Sequence, residues 1–228
     1  MNAPVPMLAL VQPWLGPECA DAVRDQINTG FLGPGKATAA FGARLAQIAG
    51  VTHGVPTVSG TIALTVAAKA LGLKPGDEIL VPAYGVISTI NAFASIGLVP
   101  RLAEIDFATG CIDPARLKAR LTPNTRAVCF VDFSGHTGQA LVDVAALCRD
   151  HGLPLIEDAA CALGQRFQGR SAGGFGTIGC LSFSVAKVMT TGQGGAVLTE
   201  DKSLADQAAC WIDHGDLDWR QTNTHRHV

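Results

Sequence analysis

The sequence predicts an α/β fold: three α/β/α layers around a mostly parallel central sheet. Three observations lead there. Short runs rich in Val, Ile and Leu, apolar on both faces, recur along the chain. Stretches with helical spacing of apolar residues separate them. Strands buried on both faces and alternating with helices form parallel sheets covered on both sides. The third observation is composition. Of 228 residues, 48% are hydrophobic and 16% charged, against a usual charged share of about 25%. That excludes a disordered chain and leaves apolar surface for a partner subunit or further chain to cover.

Taken in order, a helix is expected from Glu18 to Asn28, then a turn with Gly30, Gly33, Pro34 and Gly35, then a helix from Ala37 to Ile48. The β-like runs are His53–Val58, Glu78–Val81, Pro100–Ile105, Arg126–Val131, Leu153–Ile156, Cys180–Ser184 and Ala196–Thr199. Between them lie helical segments at Thr61–Leu71, Val86–Ile96, Pro114–Leu121, Leu141–Asp150 and Ser203–Ile212. The uncharged stretch from Ile79 to Pro100 is long enough to cross a bilayer. Pro82, Gly85 and its polar residues split it into a buried strand and a buried helix. The start, MNAPVPMLALVQPWLG, has no basic region and three prolines, so no secretory leader is expected.

Charge and cysteine usage narrow the function classes. Lys+Arg 17 against Asp+Glu 19 gives a net charge of −2, too little positive field to hold nucleic acid or an anionic membrane surface. Seven cysteines without a CxxC pair read as free thiols in a reducing compartment, which places the chain in the cytoplasm. No histidine or cysteine spacing fits zinc, and His225 and His227 at the chain end have no further ligand beside them, so no metal is expected.

Three segments can carry chemistry. Ser59-Gly60-Thr61 lies between a strand and a helix, where free backbone N–H groups and the helix dipole attract an anion such as phosphate. An ordinary cap by Ser59 or Thr61 explains the same residues. Glu157 and Asp158 follow an apolar strand, where open α/β sheets place ligand groups; the alternative is a helix cap by Asp158. Lys187 is the one charge between Ser171 and Gln193, a setting that suits a Schiff-base lysine, or else a snorkelling surface lysine. Gly174-Phe175-Gly176-Thr177-Ile178-Gly179 matches GxGxxG, with Glu200 near the distance of a ribose acid. It precedes a strand instead of opening a helix, so the dinucleotide reading is set aside. A phosphate cradle, an acid and a lysine are together the set that a pyridoxal phosphate enzyme requires.

On these residues the chain resembles the DegT-type sugar aminotransferases, pyridoxal phosphate enzymes of fold type I. The resemblance runs through Gly30-Phe31-Leu32-Gly33-Pro34-Gly35, Ser59 to Leu64, Gly72 to Pro82, and Ile156-Glu157-Asp158-Ala159-Ala160. It continues in Ser182-Phe183-Ser184 with Lys187, Thr191-Gly192-Gln193-Gly194-Gly195, and Asp213-His214-Gly215. It implies pyridoxal 5'-phosphate bound covalently to Lys187, which also moves protons. Asp158 would pair with the pyridine nitrogen; Gly60, Thr61, Ile62 and Ser182 would hold the phosphate; Ala160 would lie against one ring face. Two positions depart from the family. Cys161 stands where Gln or His usually approaches the phenolic oxygen, and Val86 stands where an aromatic side chain usually stacks on the ring, with Tyr84 two residues earlier.

The family also continues well beyond this length. The resemblance therefore implies one unit over residues 1–228, an N-terminal segment and the cofactor-binding large domain, with the small C-terminal domain absent. The implied function is transfer of an amino group from glutamate or glutamine to a keto sugar, nucleotide-linked, in a homodimer when full-length. The alternative is a non-catalytic or degenerate fragment that keeps only the fold. A sugar dehydratase on the same scaffold is disfavoured, because the resemblance implies histidine in place of Lys187 there.

Overall fold

The computed structural model describes residues 12–213. The expectations for the residues up to Val11, for His214-Gly215 and for His225 and His227 lie outside the described residues.

Local sequence explains most boundaries. Helix α1 (Pro17–Asn28) opens on a proline at its first position, where the missing N–H costs nothing. Helix α2 (Lys36–Ala49) ends at Gly50, whose φ of +73° closes the last turn. Strand β1 (His53–Thr57) leads into α3 (Gly60–Ala70). Next come β2 (Glu78–Pro82), α4 (Ile87–Ala94) and β3 (Val99–Ala103). Asp113 caps the short α5 (Pro114–Leu117), which tightens into a 3₁₀ turn before β4 (Thr125–Val131). Helix α6 (Gln139–Asp150) precedes β5 (Leu155–Asp158), and a small hairpin follows, β6 (Arg166–Phe167) and β7 (Arg170–Ser171). Strands β8 (Ile178–Ser182) and β9 (Gly195–Thr199) precede α7 (Lys202–Ile212), whose first amides donate to the Asp201 carboxylate.

Seven strands form one sheet in the order β1-β9-β8-β5-β4-β2-β3. The pairings β2–β3, β2–β4, β4–β5 and β5–β8 are parallel. β9 runs antiparallel to both β8 and β1; a loop over residues 183–194, with no crossover helix, brings it back beside β8. Alternation along the strands builds the layers. Cys129, Ile156, Ile178 and Cys180 pack with α3 and α4 on one face. Val128, Phe130 and Leu155 pack with α5 and α6 on the other. The expected three-layer α/β fold with a mostly parallel sheet is the observed one.

Boundary differences matter at two places. β5 runs through Glu157 and Asp158, so the two acids sit on the strand and not after it. Helix α4 is shorter than expected, because Val86 is still extended. The uncharged stretch from Ile79 divides into β2, α4 and the start of β3, and no helix among the described residues is long and apolar enough to cross a membrane.

Candidate active site

The C-terminal ends of β5 and β8 and the N-terminus of α3 meet at a cavity of about 400 Å³. Gly60, Thr61, Val86, Asp158, Cys161, Ser182 and Lys187 all line it, so seven of the residues singled out in the sequence surround one space. Ile62 falls outside the lining; its N–H donates to Ser59 Oγ at 3.2 Å. The capping reading of Ser59 and the anion-cradle reading therefore coexist. Ser59 takes the third amide, leaving those of Gly60 and Thr61 without an intrahelical acceptor.

Close packing makes the cradle. A Cβ on Gly60 would lie 2.7 Å from Ser182 Cβ and 3.1 Å from its Oγ, and one on Gly195 would lie 2.5 Å from the Ser59 carbonyl carbon. Only glycines let β8, β9 and the start of α3 approach this closely. Gly60→Ala should push Ser182 from the helix N-terminus and weaken binding of a phosphate-bearing cofactor by about tenfold to a hundredfold. Calorimetric titration checks this, and unchanged affinity would count against the cradle.

Asp158 is buried. Its Oδ2 accepts from Thr89 Oγ1 at 2.8 Å and its Oδ1 from the Ala160 N–H at 3.2 Å. Burial raises its pKa, while the bond from Thr89, the bond from Ala160 and the charge of Lys187 pull it back. Asp158 caps no helix, since a turn follows it. Lys187 is half-buried, with Nζ 3.0 Å from Cys161 Sγ. Its loop is closed at the base: the Phe183 N–H donates to the Gly194 carbonyl at 2.8 Å, and the Thr191 N–H to the Phe183 carbonyl at 3.0 Å. Tyr84 does not replace Val86 at the cavity. Its ring packs on Phe133, with centroids 4.5 Å apart, and stays outside the lining. Ser88, Thr89, Ser184 and Gln193 also line the cavity; sequence reasoning gave none of them a role, though Ser184 and Gln193 stand in segments that carry the resemblance. Ser184 and Gln193 are within its reach, beside Lys187 and the glycine run; Thr89, inside an uncharged apolar stretch, gives no signal.

The opposite face of β5 explains the GxGxxG match. Glu157 is fully buried and accepts from the N–H groups of Gly173, Phe175 and Gly176 at 2.6, 2.7 and 2.8 Å. The glycine-rich loop is an anion nest, and its anion is a carboxylate of the same chain. Beside it, the buried Asp132 makes no hydrogen bond of normal geometry through either carboxyl oxygen, although Glu157 and Thr137 lie near enough to act on its titration. Burial, then the adjacent Glu157, push the Asp132 pKa up to about 9.

An unfolded aspartate releases its proton near about 3.9. The folded chain therefore holds more protons than the unfolded one between that value and about 9, and stability falls as pH rises through this window. Asp132→Asn should flatten that fall, by up to about 1.4 kcal/mol per pH unit. Urea midpoints of both proteins across the window test it; parallel curves would refute it.

An α/β scaffold whose cavity joins free helix N-terminal amides, a buried acid and an amine offers groups that suit a phosphate-bearing ligand with a carbonyl. The chain belongs to the DegT/DnrJ/EryC1/StrS aminotransferase family, whose profile matches residues 14–228. It is 40% identical over 171 residues to the L-glutamine:scyllo-inosose aminotransferase of Streptomyces griseus, covering 74% of this chain and 39% of the relative. Among solved structures it is similar to DesI in the presence of its TDP-sugar product, with TM-score 0.86 and 32% identity over 92% of this chain and 53% of that one. It is also similar to NtdA of Bacillus subtilis with bound cofactor PMP, with TM-score 0.79 and 29% identity over 90% of this chain and 47% of that one. The chain thus spans about half the length of these relatives or less. The resemblance read from the sequence and the fold it implied are both upheld.

Proposed function

We propose that the chain is the cofactor-binding large domain of a pyridoxal phosphate-dependent aminotransferase that moves an amino group from glutamine or glutamate to a keto sugar, nucleotide-linked. The observation that carries this is the convergence of Lys187, Asp158 and the Gly60–Thr61 amides on one cavity. Its volume of about 400 Å³ suits a small-molecule cofactor site, and the donor set suits a phosphate, a pyridine nitrogen and an aldehyde. When bound, pyridoxal phosphate supplies a carbonyl that condenses with amines and a ring that accepts electron density.

The protein's own groups divide the remaining work. The amides of Gly60 and Thr61 and the Ser182 hydroxyl would receive the phosphate. Asp158, fixed by Thr89, would pair with the ring nitrogen and keep it protonated. Lys187 would offer its amine as the nucleophile toward the cofactor's carbonyl carbon and, once released, would move a proton between that carbon and the amine-bearing carbon of the substrate. Val86 and Ala160 would be the apolar walls beside the ring, and Cys161 lies next to the lysine. Exposed apolar side chains next to the lining residues, Val58, Ile87 and Val188, support a homodimer that covers them. The reading places the protein in the cytoplasm.

Glutamine labelled with ¹⁵N at its α-amino group tests the reaction, with a TDP-linked keto sugar and scyllo-inosose as acceptors. Label on the sugar nucleotide, read by mass spectrometry, is the expected result; label on scyllo-inosose alone would correct the acceptor to a free cyclitol. The second reading, a fragment that keeps the fold without activity, draws on the span of about half the relatives' length and on Cys161 and Val86. It predicts a cofactor band with no transfer to either acceptor. Absence of any band on adding the cofactor would end the main reading.

A further inference from the structure

Cys161 and Lys187 form a pair that the proposed aminotransferase chemistry does not need. Their Sγ and Nζ atoms lie 3.0 Å apart, and each is held by its own backbone. Cys161 sits in the turn after β5, where the Ala162 N–H donates to the Ala159 carbonyl at 3.0 Å. A Cβ on Gly135 would come within 2.9 Å of the Cys161 carbonyl oxygen, so the Gly135 backbone packs directly on this turn. On the other side the Lys187 N–H donates to the Ser184 carbonyl at 3.0 Å. Cys161 is partly exposed to the cavity, whereas Cys111, Cys129, Cys148, Cys180 and Cys210 are buried. A small oxidant entering the cavity therefore meets this thiol and the amine together.

We propose that Cys161 and Lys187 are an oxidisable cross-link site, closed by a peroxide through a sulfur–nitrogen bond. The steps balance. Hydrogen peroxide oxidises the Cys161 thiol by two electrons to a sulfenic acid and is reduced to water. The Lys187 amine then attacks that sulfur, expelling a second water and leaving Cys161 Sγ bonded to Lys187 Nζ. The linked pair has lost two hydrogens. Two equivalents of a thiol reduce the bond, returning the free cysteine and lysine and forming one disulfide. The consequence rests on the function proposed above: no other lysine among the described residues lines the cavity, so the closed bond removes the amine on which cofactor attachment depends.

The test uses the 228-residue protein without cofactor, treated with hydrogen peroxide, digested with trypsin and read by mass spectrometry. The expected product joins the peptides carrying Cys161 and Lys187, is two hydrogens lighter than their sum, and is released by dithiothreitol. Lys187→Arg should leave Cys161 as a sulfenic acid trapped by dimedone, and Cys161→Ser should give no linked species. Pre-loading with pyridoxal phosphate should lower the yield several-fold. Cys161 recovered as a sulfinic acid, as a disulfide with Cys19, or unmodified beside a free Lys187 would overturn the inference. These readouts need no turnover, so their failure is distinct from failure of the aminotransferase reading, which the ¹⁵N transfer decides.

Discussion

Lys187→Ala is expected to abolish the visible absorbance band formed on adding pyridoxal phosphate, and to lower amino transfer by at least about a thousandfold, within the range of a lost proton-transfer group. The cause is local. Among the described residues Lys187 is the only lysine lining the cavity, and the Cys161 sulfur beside it cannot form the carbon–nitrogen linkage. The substitution should leave the fold intact, because a half-buried side chain on a loop contributes little packing; a stability change within about 0.5 kcal/mol is expected. Lys187→Arg separates charge from chemistry. It keeps a cation facing Asp158 and should fail as completely as the alanine variant. A band that persists in Lys187→Ala would show that the amine assignment is wrong.

Glu157→Ala should be the most destabilising single change near the site, by about 3–5 kcal/mol. Removing the carboxylate leaves the amides of Gly173, Phe175 and Gly176 buried without acceptors, and it opens a cavity behind the strand that carries Asp158. For a chain of this size the loss corresponds to a fall in Tm of about 10 °C. Glu157→Gln keeps one carbonyl oxygen and much of the shape, so it should cost roughly half as much. Denaturant midpoints for the three proteins check the order. An alanine variant within about 1 kcal/mol of the parent would mean that solvent or a shifted loop satisfies the amides.

Lys187 and Glu157 differ in how far the amino-acid sequence reveals their roles. Lys187 is anomalous against its own neighbours, and so are the Ser59-Gly60-Thr61 turn and the adjacent acids of β5; such residues are legible locally. The alternation of strands and helices is legible for a related reason, because each run is apolar enough to declare a buried face by itself. Pairings that close across long separations are not. Thr89 reaches Asp158 over 69 positions, and nothing within its own helix marks it. The antiparallel placement of β9 depends on how the 183–194 loop folds back. The GxGxxG run shows the limit most clearly. Its amides do bind an anion, but Glu157 supplies the charge from 18 and 19 residues upstream, a partner that a motif match cannot see. Tyr84 is the converse case: it stands close to Val86 in sequence, yet its ring packs on Phe133.

The cavity walls come from distant parts of the chain, from Ser59 to Gln193. A molecule seated there touches the start of α3, the end of β5 and the loop bearing Lys187 at once, so occupancy ties together segments far apart in sequence. Amide hydrogen exchange should then slow in concert across all three when the cavity fills, by the factor that mass action allows.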